Sequence, residues 1–228
     1  MAATNKTIGV LGGMGAMATA LFYTILTSTQ PVHTEQETPD IIIYSKTSTP
    51  DRSAFILGQS KLDPTLDLVA AATALERAGA GFIAIPCVTA HYFYDYIASA
   101  VGIPVINLLD EIAQHIQTRY KKIGLLATDG TLQARILHNM LEPHGIDVVA
   151  PDIQQQQLLM DMIYRIKQGR TVSSEDFDKL KDTVAAKGAE AVLLGCTELS
   201  LIKSGNVTAC VDALKVLAQA TIDKWSSI

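Results

Sequence analysis

Along the chain, short runs of aliphatic and β-branched residues alternate with longer stretches whose apolar positions recur at helical spacing. The short runs predict strands near 6–12, 40–45, 81–86, 104–107, 121–127, 146–150, 190–195 and 207–211. The longer stretches predict helices near 15–29, 64–79, 90–100, 108–119, 130–142, 153–168, 174–187 and 212–226. Several strand runs are apolar at consecutive positions, as in Ile41-Ile42-Ile43 and Val192-Leu193-Leu194. A strand covered on both faces carries such a run, whereas one with a wet face alternates. The pattern therefore predicts an α/β protein with helices packed on parallel sheets.

Two of the predicted strands recur together with their exit loops. Thr7-I-G-V-L-G-G-M-Gly15 aligns without gaps on Lys122-I-G-L-L-A-T-D-Gly130, and Gly79-A-G-F-I-A-I-P-Cys87 on Gly188-A-E-A-V-L-L-G-Cys196. Two matches in the same order point to duplication. They predict two similar α/β halves about a pseudo-twofold axis, one of residues 1–101 completed by 211–228, the other of residues 102–210. Ligands in parallel sheets bind at the carboxyl ends of strands, and the repeated tips 12–15, 87–91, 127–130 and 196–198 all lie there. If the halves face each other, Cys87 and Cys196 line opposite walls of one cleft.

Composition narrows the class. With 228 residues, 48% hydrophobic and 18% charged, the chain can bury a substantial core. A net charge of −5 without a basic stripe leaves no footprint for nucleic acid. The polar start M-A-A-T-N-K-T does not read as a signal peptide, and no apolar run is long enough to span a membrane. Three cysteines do not make a disulfide framework. A cytoplasmic protein is expected.

Each repeated cysteine is followed by a hydroxyl residue and a predicted helix start: Thr89 and the helix from about Ala90, then Thr197 and the helix around Glu198. Partial positive charge at a helix start favours thiolate, so both thiols are expected to titrate below the ordinary cysteine value. The same N–H groups could hold a substrate carboxylate. Two thiols on opposite faces of a carbon acid make a symmetric acid/base pair: one thiolate removes a proton and the other thiol delivers one to the far side.

These residues resemble the cofactor-independent aspartate/glutamate racemases of the wider Asp/Glu/hydantoin racemase superfamily. The resemblance is carried by I-G-V-L-G-G-M-G (8–15), P-D-R-S-A-F-I-L-G (50–58), P-C-V-T-A-H (86–91), I-G-L-L-A-T-D-G (123–130) and G-C-T-E-L (195–199). It implies two α/β halves with the active site between them, no cofactor and no metal, a small dicarboxylic amino acid as substrate, and a homodimer. It further implies Cys87 and Cys196 as the proton donors and acceptors. Arg52 would bind a substrate carboxylate, aided by the backbone of Val88, Thr89 and Ala90 and by Lys167. Met14, Ser53, Thr197 and Glu198 would complete the substrate-binding set. One residue departs from the pattern: the family reads P-C-N-T-A-H, and Val88 lacks the hydrogen-bonding amide of that asparagine. Weaker catalysis, a different substrate or a purely backbone role at that position would each follow. Ser53 replaces the usual threonine and keeps its hydroxyl.

Other readings compete for the same residues. Cys87, His91 and Cys196 give three metal ligands without a fourth; Cys87 with His91 could be a nucleophilic pair, or His91 could simply start a helix. Asp51-Arg52-Ser53 could be a turn with a solvated charge pair. Lys167, beside Arg165 and Arg170, could be an ordinary cation at a helix end. Gly13-x-Gly15-x-x-Ala18 imitates a dinucleotide fingerprint, but the second strand ends in Ser45-Lys46 and not in an acid. Cys210 is expected to be structural, Tyr92–Tyr96 to pack a helix, and Gln154–Gln157 to form a polar helix surface. Maleate isomerases and arylmalonate decarboxylases use related cysteine clefts, and a non-catalytic module binding acidic amino acids would share the fold.

Overall fold

In the first strand, Ile8 and Val10 face one core and Leu11 faces another, all fully buried. This division recurs in every central strand and sets the layers. The computed structural model describes residues 6–29, 33–205 and 208–228. Its strands are β1 (Ile8–Gly12), β2 (Ile41–Ser45), β3 (Phe82–Ala84), β4 (Lys122–Leu126), β5 (Asp147–Val149), β6 (Ala191–Leu194) and β7 (Cys210–Asp212). Two sheets result, ordered β2-β1-β3 and β5-β4-β6-β7, and every pairing is parallel. The strand orders of the two sheets correspond, as the repeated sequence predicts.

The helices are α1 (Ala16–Ser28), α2 (Arg52–Ile56), α3 (Thr65–Arg77), α4 (Tyr94–Ser99), α5 (Leu108–Gln117), α6 (Asp129–Gln133), α7 (Ile136–Leu141), α8 (Ile153–Lys167), α9 (Ser174–Ala185) and α10 (Ala213–Ser227). A shared core joins the inner faces of both sheets through Phe22 of α1, Ile112 of α5, Leu137 of α7 and Leu217 of α10. The outer face of the first sheet packs on Leu68 and Leu75 of α3. That of the second packs on Leu159 and Ile163 of α8 and Phe177 and Leu180 of α9. Helices thus cover both faces of the central strands, which is why β1, β3, β4 and β6 read as apolar runs. The edge strand β2 leaves Ile43 and Tyr44 exposed, so the two-sided burial expected from Ile41-Ile42-Ile43 is corrected.

Several expected elements differ in extent. The predicted strand 104–107 shrinks to a single bridge between Val105 and Ile83. Pro104 has no N–H for a ladder, and Asn107 already caps α5 by accepting from the Leu109 N–H. The predicted helix 130–142 is two helices, because Arg135 between them is left-handed at φ 51°. The predicted helix 90–100 begins as a 3-10 turn, Thr89–Phe93, before α4. The strand expected at 207–211 is β7, shifted toward α10, and Asn206 and Val207 lie outside the described residues.

The closing helices exchange sides. α5 follows the first sheet and packs on α7; α10 follows the second sheet and packs on α1; the two also pack on each other. This exchange supports dividing the chain into 1–101 with 211–228 and 102–210, a division we keep as a proposal. Val105 against β3 and β7 against β6 are then short ties that each half lends the other.

Candidate active site

Both repeated cysteines stand where a strand delivers its last residues to the interface of the halves. After β3, Ile85-Pro86-Cys87 leads into the 3-10 turn, and the Cys87 side chain is buried. The turn folds His91 back so that its Nδ1–H donates to the Cys87 carbonyl at 2.8 Å, while Nε2 accepts from the Leu108 N–H at 3.2 Å. These partners assign the neutral Nδ1–H tautomer. Burial pushes the His91 pKa below the ordinary histidine value despite the carbonyl contacts. With both nitrogens engaged, His91 positions the cysteine loop and is free neither to act as a base nor to ligate a metal. Among the described residues no group of three or more His, Cys, Asp and Glu could hold a metal ion.

The neighbours of Cys87 divide between the two cores. Val88 packs into the shared core with Ile106 and Leu108, so at this position the cleft receives only backbone. Ala90 and Met14 pack into the outer core of the first half. The Thr89 hydroxyl lies 3.0 Å from that of Thr128 and 3.0 Å from that of Thr131, which are 3.1 Å from each other. Three buried hydroxyls in a ring satisfy one another, and this ring clasps the first half to the start of α6.

The second cysteine loop is built differently. Gly195 leads from β6 to Cys196, which precedes the 3-10 turn Thr197–Leu201. The Cys196 thiol donates to Glu198 Oε2 at 3.0 Å, and Glu198 is itself buried at 2% exposure. Burial and the adjacent Glu198 carboxylate hold the Cys196 pKa well above the ordinary thiol range, with Lys167 acting the other way. The expected lowering of this thiol by a helix start is therefore corrected. The 3-10 turn is too short to compete with desolvation and a carboxylate in contact.

The two loops meet. The Thr197 hydroxyl, beside Cys196, donates to the carbonyl of Pro86, beside Cys87, at 3.1 Å. Thr197 and Glu198 thus come to the same interface as Cys87. α2 closes one side: Asp51 caps it by accepting from the Ala54 N–H, and Arg52 and Ser53 are both buried. Arg52-Ser53 is thus no solvated turn. The Arg52 guanidinium donates to the carbonyls of Thr49, Pro50 and Met14; among the described residues its Nε has no partner and no carboxylate forms an ion pair with it. A buried cation held by neutral carbonyls keeps an uncompensated charge, which favours an anion beside it. Ser53 lies against Gly130, where an added Cβ would stand 2.7 Å from the Ser53 Cα.

Lys167, at the end of α8, completes the group. Burial works to lower its pKa, but Glu198 and the Cys196 sulfur, with a smaller contribution from Cys87, outweigh it and hold the ammonium above the ordinary value. Lys167, half-buried at the end of α8, is therefore within electrostatic reach of both cysteines. Asp51 is pushed up by burial, but the Ala54 N–H and the charges of Lys167 and Arg52 carry it below the ordinary carboxylate value. A cavity of about 260 Å³ lies between Gly13–Ala16, Thr47, Thr49, Asp51, Arg52 and Lys167. Gly13 faces this cavity with φ at +89°, a conformation glycine adopts without strain, and its Cα side lies against the Lys46 backbone. A larger groove of about 770 Å³ beside α9 and α10 contains Cys210 and neither of the other cysteines. Cys210 is exposed, with its thiol directed to the Thr208 carbonyl, so it does not pack in the core as a structural cysteine would.

Sequence reading missed Thr128, Thr131, Tyr164 and Gln156. The signal for Thr128 was present: it stands before α6 as a capping residue and aligns with Gly13 in the repeat. Tyr164 reaches the Asp51 carboxylate at 3.3 Å across the interface, which no local pattern announces. Gln156, expected on a polar surface, donates to the Ala127 carbonyl and to Asp129 Oδ1 and so ties α8 to the tip of β4.

Two parallel sheets bring matched cysteine loops together beside a buried guanidinium in a two-lobed α/β fold. The Asp/Glu/hydantoin racemase profile matches residues 11–221, and the chain belongs to that family. It is an amino-acid racemase, an isomerase. The broad specificity amino-acid racemase RacX of Bacillus subtilis (strain 168) is 26% identical over 226 residues, covering 96% of this chain and 97% of that protein. The aspartate racemase of Picrophilus torridus superposes with a TM-score of 0.81 at 26% identity, over 96% of this chain and 94% of that one. An aspartate racemase homologue from Pyrococcus horikoshii OT3 gives 0.76 at 28% identity, over 97% and 99%.

Proposed function

We propose that this racemase interconverts D- and L-aspartate, with glutamate as the alternative substrate, by direct proton exchange between Cys87 and Cys196 without a cofactor. The observation that carries the reading is the Thr197–Pro86 contact, which sets the two cysteine loops against each other beside Arg52. One thiolate removes the α-proton, the opposite thiol returns a proton to the other face, and inversion follows. Arg52 binds one substrate carboxylate as a planar fork and Lys167 the other. The loop between Gly13 and Ala16 and the backbone at Val88–Ala90 complete the walls, with Met14, Ser53, Thr89 and Thr197 holding them in register. Aspartate is favoured by the likeness to aspartate racemases.

Purified protein is expected to racemise aspartate without added pyridoxal phosphate. Cys87→Ala and Cys196→Ala should each lower kcat/KM by about a thousandfold or more. Full activity in either variant would remove the two-thiol mechanism, and binding of aspartate without α-hydrogen exchange in D₂O would leave a non-catalytic module. A homodimer in the cytoplasm is the accompanying expectation, to be checked by light scattering and cell fractionation. No helix among the described residues is long and apolar enough to cross a membrane.

A further inference from the structure

The repeat that matches Cys87 with Cys196 breaks two residues later, where Thr89 stands against Glu198. Thr89 spends its hydroxyl on the threonine ring. Glu198 turns its carboxylate to the thiol: Oε2 accepts from Cys196 at 3.0 Å, while Oε1 is buried and accepts no hydrogen bond. Oε1 lies against Gly15, where an added Cβ would stand 2.9 Å from it, and the carboxylate is within electrostatic reach of Lys167. Among the described residues the Cys87 thiol is assigned no such carboxylate partner.

We propose that Glu198 is the proton store for Cys196, and that the resting enzyme alternates between two states whose mobile proton sits on Glu198 or on Cys87. This rests on the two-thiol reading above. In one direction the Cys196 S–H bond breaks, its proton forms an O–H bond at Glu198 Oε2, and the electron pair stays on sulfur. The thiolate then takes the substrate α-proton and is a thiol again. Cys87 gives its proton to the other face of the carbanion and is left as thiolate. The other direction is the exact reverse, ending with the proton returned from Glu198 through Cys196 to the substrate and Cys87 protonated. Cys196 is thus a thiol in both resting states, which agrees with its contact to Glu198 and its burial. Oε1, buried without a partner beside Gly15, leaves the carboxylate free to carry the stored proton.

The test is Glu198→Gln, which keeps the shape and removes the store. The two enantiomers are equal in free energy, so kcat/KM must fall equally in both directions, by about tenfold or more, with kcat and not KM carrying the loss. Removal of the adjacent negative charge should at the same time speed alkylation of Cys196 by iodoacetamide several-fold near neutral pH, followed on the Cys196 peptide by mass spectrometry. A more reactive thiol with slower turnover is a combination that a merely structural glutamate does not produce. Glu198→Asp, which retains a carboxylate, should be more active than Glu198→Gln and alkylate slowly like the parent; it carries the test if the Gln variant fails to fold. Turnover within twofold of the parent, a loss confined to KM, or slower turnover without faster alkylation would each overturn the proposal. Racemase activity surviving in Cys196→Ala would instead overturn the two-thiol reading beneath it.

Discussion

A single imidazole shows how burial decides between chemistry and scaffolding. His91 lies four residues after a cysteine, a spacing that invites a catalytic pair, yet its two nitrogens are consumed by the Cys87 carbonyl and the Leu108 N–H. Its function is to pin the cysteine loop to the start of α5. Because the fold holds it neutral, the unfolded chain takes up its proton first. Stability is therefore complete above the ordinary histidine pKa of 6.5 and falls as pH drops below it, by at most about 1.4 kcal/mol per pH unit from this group. Urea midpoints at pH 7.5 and 5.5 should show that fall, and His91→Gln, whose amide can offer one donor and one acceptor, should shrink it. An equal fall in the variant would show that the acid sensitivity lies elsewhere. The side-chain roles near the cysteines were only partly legible: the motifs announced Cys87, Cys196 and Arg52. They could not show that Val88 turns into the shared core, or that Glu198 addresses a thiol, because both depend on how one half seats on the other.

At the scale of elements, the central strands were legible because two-sided burial leaves a continuous apolar run, and the long helices because one face stays polar. β2 carries such a run while Ile43 stays exposed at the sheet edge. What was lost were short elements governed by single residues. Pro104 and Asn107 reduced a predicted strand to one bridge, Arg135 split a predicted helix, and the five-residue α2 is too short to show a period. α8 carries a signal that could be read: Asp152 and Gln155 form a capping box, each side chain accepting from the other's backbone N–H. The far end of the same helix presents Lys167 to the cleft. Asp152→Ala should cost about 1 kcal/mol and lower Tm by about 2–4 °C, while kcat stays within about threefold, since the last turn is held separately by the core. A large loss of kcat at unchanged Tm would mean that the capping end controls Lys167 directly.

For the whole molecule, the decisive surfaces are those between the halves. α2 and α6 approach so closely that Gly130 has no room for a side chain beside the Ser53 backbone. Gly130→Ala should destabilise the fold by about 1–3 kcal/mol through overpacking. By pushing Arg52 away from the cysteines, it should also reduce kcat/KM by up to about a hundredfold. Steady-state kinetics on the folded variant decide this, and unchanged kinetics would show that the separation of the halves is not critical. The general plan of two sheets was visible in the repeated motifs, and the division 1–101 with 211–228 already gave α10 to the first half and α5 to the second. What the sequence could not show is that α5 and α10 pack on each other, because helices that face a common core carry the same apolar stripe whichever sheet they follow.

The Thr197–Pro86 hydrogen bond has one more consequence. On the proposed two-thiol mechanism it would act as a spacer bar between the jaws of a caliper, so that the gap between the cysteine loops keeps one width whatever amino acid is held there. Variation in side-chain length must then be absorbed beyond the bar, toward Arg52 and Lys167. Choice among amino acids and access to the sulfurs would be governed at that outer end, and the jaws need not open for a product to leave.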